Sequence, residues 1–116
     1  MAKYYSDQKD NHMAAHRAQQ IYLILLGLAY NRQTSTYGQI ADLLGYDGAG
    51  TLARILGRIY EWCHENDLPK IVALVVNQET GIPGDGLSNL DRDREREKIY
   101  NFSWYDVIPP KVEELV

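Results

Sequence analysis

The chain has 116 residues, 45% apolar and 24% charged, with a formal net charge of −4, which fits one compact domain and excludes a disordered or fibrous polypeptide. Cys63 is the only cysteine, so an intrachain disulfide framework is ruled out, and a reducing cytosol is the expected compartment for a chain long enough to bury a core without staples. The longest apolar run, Ile21 to Tyr30 (IYLILLGLAY), is about half the roughly 20 residues that cross a bilayer, and no signal-like stretch begins the chain, so a soluble cytoplasmic protein without membrane contact is expected.

Residues 1–78 carry seven Lys or Arg against seven Asp or Glu, and the whole deficit lies after Gln78, where nine acids face five bases. A neutral body with an acidic tail lacks the basic stripe of a strong nonspecific nucleic-acid binder. Any cationic contact must therefore be local.

Residues 1–10 are polar and read as a flexible N-terminus, followed by a single domain over 11–116. From about Asn11 to Tyr30, Ala14, Ala18, Ile21, Leu25 and Leu28 recur at helical spacing, with Ile24 widening the stripe, which predicts an amphipathic helix. The polar NRQTS ends it. Thr36 followed three residues later by Gln39 has the capping-box spacing and opens a short helix over Tyr37 to Leu44.

A glycine-rich turn, GYDGAG, separates this from a third helix ending near Asn66, with Leu52, Ile55, Leu56, Ile59, Tyr60 and Cys63 on one face. Its opposite stripe is Thr51, Arg54, Arg58, Glu61 and Glu65. Two helices joined by a short glycine-containing turn, the second bearing two arginines one turn apart, form the pattern of a helix-turn-helix. A three-helix bundle with a solvated arginine pair is the alternative.

Beyond Asp67-Leu68-Pro69, Ile71 to Val76 is short and rich in β-branched residues, and reads as a buried strand. NQETG supplies a hairpin turn, and Pro83, Gly84 and Gly86 lie on the return. The expected fold is thus mainly α with a small β-hairpin, α+β, a winged helix-turn-helix. In DRDREREK the signs alternate, giving opposite charges at i+3 and like charges at i+4, a solvated helix face. Phe102 and Trp104 are expected to dock on the core.

The runs TYGQIADLLG, ARILGRI, END-LP and VVN with its glycine turn resemble the C-terminal DNA-binding domain of the alkylguanine-DNA alkyltransferases and the non-enzymatic alkyltransferase-like proteins, over about Ala15 to Gly86. The resemblance implies that Tyr37 contacts a nucleotide phosphate, that Arg54 enters the base stack, that Gly57 permits close packing and that Asn66 braces a turn. Where that family carries P-C-H-R on its strand, this chain has apolar residues only, the cysteine position falling on Val72 or Leu74. No alkyl acceptor is present there, and the groups that read a flipped base are missing too.

Other chemistry is thinly supported. Cys63 sits on the apolar face beside His64 and reads as an inert core thiol. His12 and His16 are one turn apart but lack a third ligand and a following glutamate, so no metal and no cofactor is expected. GIPGDG lacks the lysine and helix start of a phosphate loop. The expected role is therefore non-enzymatic binding of double-stranded DNA through Thr51, Arg54 and Arg58, with Tyr37 and its helix's amide end on a phosphate, and a wing from Asn77 to Gly86, including Thr80, on the backbone. A protein-interaction module, or a small acidic regulator of a DNA-processing complex, is the rival expectation. A sensor of alkylated bases is a third.

Overall fold

The computed structural model describes residues 1–5, 12–47, 50–77 and 89–116, with side chains described from residue 93 onward in the last stretch. Its elements in order are α1 (Met13–Tyr30), β1 (Ser35–Thr36), α2 (Tyr37–Leu43), α3 (Leu52–Glu65), a 3₁₀ turn (Ile71–Leu74), β2 (Val75–Val76), α4 (Asn89–Asn101) and two further 3₁₀ turns at Trp104–Asp106 and Val112–Leu115. Among the described residues the fold is mostly helical with one small sheet. No helix among the described residues is long and apolar enough to cross a membrane.

α1 forms the spine of the core. Ala18, Ile21, Tyr22 and Leu25 are fully buried, and the helix packs against α3, the Ile71–Leu74 turn and the Val112–Leu115 turn. α3 buries Leu52, Ile55, Leu56, Ile59 and Cys63 as its spacing predicts, but Tyr60 lies at the surface and Trp62 is buried instead. Burial pushes the Cys63 thiol up to about 11, which removes the thiolate needed for reactivity.

Each of the first three helices ends in the same way, with the residue after its C-cap in a left-handed conformation: Arg32 (φ 53), Gly45 (φ 76) and Asp67 (φ 55). In each, the following amide reaches back to close a six-residue loop, Gln33 to Leu28, Tyr46 to Ala41 and Leu68 to Cys63, all at 2.9 Å, which satisfies carbonyls the helix leaves open. Only Gly45 takes that conformation without steric cost.

The expected buried strand over Ile71 to Val76 is corrected in part. Ile71–Leu74 coils into a 3₁₀ turn whose four side chains are all buried, and only Val75–Val76 is strand. It pairs in parallel with β1, Ser35 opposite Val75 and Thr36 opposite Val76. The reason is physical: the turn packs against α1, α3 and α4, and a chain enclosed by helices, with no strand beside it among the described residues, satisfies its amides locally. The proposed return strand, with Thr80 and most of the wing, lies outside the described residues.

The last third of the chain closes the core. α4 contributes Ile99, fully buried. Trp104 is 3% exposed, and its indole Nε1–H donates to the Ile99 carbonyl at 2.8 Å, while Phe102 stacks edge-on against it at 4.7 Å. At the other end of the chain, Tyr5 meets His16 edge-on at 5.8 Å and the Arg17 guanidinium lies 5.0 Å over the Tyr5 ring.

At the centre, Tyr22 lies edge-on to Trp62 and Trp104. Its buried hydroxyl finds no hydrogen-bond partner among the described residues, and burial pushes its pKa up to about 12. An unsatisfied buried hydroxyl costs more than it returns, so Tyr22→Phe is expected to be neutral or to stabilise by about 1 kcal/mol in denaturant unfolding. A loss of that size would show that the hydroxyl is satisfied.

Candidate nucleic-acid interface

The α2–turn–α3 unit positions the candidate face. Thr36 accepts a bond from the Gln39 amide at 3.1 Å and the Gln39 side chain accepts one from the Thr36 amide at 2.9 Å, the capping box the spacing predicts. That reciprocal pair occupies two of the amides at the start of α2. Tyr37, its first residue, is half-buried and packed against the core.

α3 exposes Ala53, Arg54, Gly57, Tyr60, Glu61 and His64 to solvent. Thr51 is its exposed N-cap residue and makes no side-chain capping bond. Arg54 has no hydrogen bond or ion pair among the described residues, so its guanidinium is available for an external anion. Gly57 lies one turn beyond Ala53 on this surface. Among the described residues a Cβ added to it would meet nothing within 4 Å, so none of them packs closely against this glycine. A helix-interior glycine costs about 1 kcal/mol relative to alanine.

Arg58 is placed differently from Arg54. Its Nη1 donates to the Leu115 carbonyl at 3.0 Å, and its buried Nε finds no partner among the described residues. The C-terminal turn Val112–Leu115 thus lies against this arginine, with Leu115 only 1% exposed. Next to it the Trp62 indole Nε1–H donates to Glu114 Oε2 at 3.1 Å. The two arginines, Gly57, Glu61, Glu65 and Glu114 all line one groove of about 410 Å³. Three carboxylates share this groove with two guanidiniums, and of the two arginines only Arg54 makes no hydrogen bond or ion pair among the described residues.

No protein-family profile, curated protein or solved structure matches this chain. Its geometry alone bears on function.

Asn66, assigned by resemblance to an active-site turn, donates through Nδ2 to the Trp62 carbonyl at 2.8 Å and so braces the end of its own helix. Val72 and Leu74, the positions of the absent nucleophile, are buried at 8% and 0%. Asn77 is exposed at the end of β2. Among the described residues no cluster of metal-ligating side chains occurs. Sequence reasoning missed Trp62 and Glu114, and the one available signal was the aromatic beside Cys63 on the buried arc of α3.

Glu114 is tunable by pH. The Lys111 amide, at 3.0 Å, and then the Trp62 indole hold its carboxyl below the ordinary carboxylate range. A folded pKa below the unfolded value contributes stability that is complete above the unfolded pKa, about 4.3, and is lost as pH falls through the folded one. The stability difference between the protein and Glu114→Gln is therefore expected to shrink on acidification through that window. A difference independent of pH would contradict the contact.

Proposed function

We propose that this protein is a non-enzymatic, winged helix-turn-helix DNA-binding protein that reads duplex DNA with the N-terminal half of α3. The observation that carries the proposal is the exposed Gly57 beside Arg54, which has no hydrogen bond or ion pair among the described residues. An exposed glycine in a helix interior, with no described residue packed on it, suits a surface against which another backbone comes close. Arg54 then extends to a base edge or phosphate, and Thr51 at the helix start supplies a hydroxyl. Recognition helices use their N-terminal residues for base edges, which is where this helix keeps its free cation.

With few cations on the face, nonspecific affinity should be low and the salt dependence shallow, because each phosphate neutralised contributes about one unit of slope. Gly57→Ala separates ligand contact from folding. It is expected to raise stability by up to about 1 kcal/mol while weakening DNA binding. Stabilisation with unchanged binding would place the DNA elsewhere.

A second reading is favoured by the groove itself. Because Glu61, Glu65 and Glu114 crowd the lower half of α3, a basic protein surface would fit there better than a phosphate backbone. In pull-down from the source cell's lysate, nuclease treatment would abolish a DNA-bridged association and leave a direct protein contact intact.

A further inference from the structure

Beside the last turn of α1 lies a cavity of about 440 Å³ that the DNA-binding reading leaves without a role. Leu26 and Ala29, both buried, line its α1 side. Around them stand aromatic side chains, Tyr30 from α1, then Tyr100, Phe102, Trp104 and Tyr105 from the end of α4 and the turn that follows. Tyr30 and Tyr105 are exposed and meet edge-on, their centroids 6.1 Å apart and their planes at 80°. Phe102 and Trp104 form a second edge-on pair, 4.7 Å apart and at 60°. Rings packed in this way present faces in several directions, so the walls form corners instead of one flat stack. An aromatic face attracts cations, and one wall already holds one: the Arg32 guanidinium lies 5.0 Å over the Tyr100 ring.

The charges on the lining decide the sign of the occupant. Arg32 is committed within the chain, because its Nη2 donates to both Glu97 oxygens at 3.2 Å while its plane covers Tyr100. Asp106 also lines the cavity, and its carboxylate has no hydrogen bond or ion pair among the described residues. The uncompensated charge is therefore negative, and the ring faces add to it. A simple anion would face Asp106 with an arginine already bonded to Glu97. An unsubstituted ammonium would give up water at three N–H donors against rings that accept weakly. A fully methylated ammonium carries the charge without any donor and presents apolar methyl groups to the rings, so it meets neither cost.

We propose that this cavity binds a quaternary ammonium group, with its methyl groups against Tyr30, Tyr105 and Phe102 and its charge balanced by Asp106. The volume lies in the lower part of the range for small-molecule sites and leaves room for the chain that carries the group. Tyr30 and Tyr105 are then walls set by their mutual edge-on contact, and the ion pair of Arg32 with Glu97 keeps the one cation on the lining from repelling the ligand.

Titration of the whole chain with choline, followed by amide NMR spectra in the absence of DNA, tests this independently of the DNA-binding reading. The probe's uncharged analogue, in which carbon replaces the nitrogen, is the control. Choline is expected to shift the amides of residues 100–106 and to bind at least about 3-fold more tightly than the analogue, because the attraction to ring faces and carboxylate needs the charge. Asp106→Asn and Tyr105→Ala should each weaken choline binding by about 3-fold or more, with unchanged circular dichroism because both side chains are exposed. A peptide carrying trimethyl-lysine, titrated alongside, separates a peptide-borne group from a free one by which of the two binds more tightly. Equal affinity for choline and its uncharged analogue, shifts confined to other parts of the chain, tighter binding of inorganic phosphate, or no shift with either ammonium probe would overturn the proposal.

Discussion

Trp104→Ala is expected to bring the protein close to unfolding at physiological temperature. The side chain is 3% exposed, lies edge-on to Phe102 and Tyr22, and its Nε1–H donates to the Ile99 carbonyl. Truncating a buried tryptophan costs about 3–5 kcal/mol, and here it also leaves that carbonyl without its partner. Small domains are stable by about 5–15 kcal/mol in total, so the loss is a large share. Denaturant unfolding should show a midpoint far below that of the parent protein, and a change under about 1 kcal/mol would mean that the tail is not part of the core.

Arg54→Glu should have the largest effect on binding. The residue is exposed and has no hydrogen bond or ion pair among the described residues, so the substitution leaves the fold intact while turning this cation into a fourth carboxylate beside Glu61, Glu65 and Glu114. A single good arginine contact carries about 1–3 kcal/mol of recognition, and charge reversal adds repulsion, so a fall of at least about 10-fold in duplex affinity is expected. Arg58 is the instructive contrast. Because its guanidinium is bonded to the Leu115 carbonyl, Arg58→Ala should lower stability, and any binding loss it causes would be confounded by that change.

Much of the helical framework was legible in the sequence, for reasons that are local. The spacing of Ala18, Ile21 and Leu25 marks a helix face because the period of 3.6 residues is intrinsic, and Thr36 with Gln39 marks a helix start because both partners of the capping box lie within one turn. What the sequence hid was set by distant contacts. The run Ile71–Leu74 is apolar throughout, and such a run has no period that tells strand from helix; its enclosure by three helices decided the matter. The left-handed turns at Arg32 and Asp67 carry no glycine to announce them.

The candidate site was legible to a similar depth. Thr51 and Arg54 emerge on the exposed side of α3 as their spacing implies. Arg58 does not share their freedom, because its partner is a backbone carbonyl 57 residues away, and a carbonyl leaves no trace in side-chain pattern. The docking of Leu115, and with it the acidic lining of the groove, is likewise a long-range event.

The claim that the N-terminal half of α3 reads DNA is tested most directly by fluorescence anisotropy of a labelled duplex, titrated with the protein and with Arg54→Ala at two salt concentrations. Saturable binding at low salt is expected, weakening as salt rises and reduced by Arg54→Ala without loss of fold. No binding to any duplex at low salt, or binding that Arg54→Ala leaves unchanged, would contradict it.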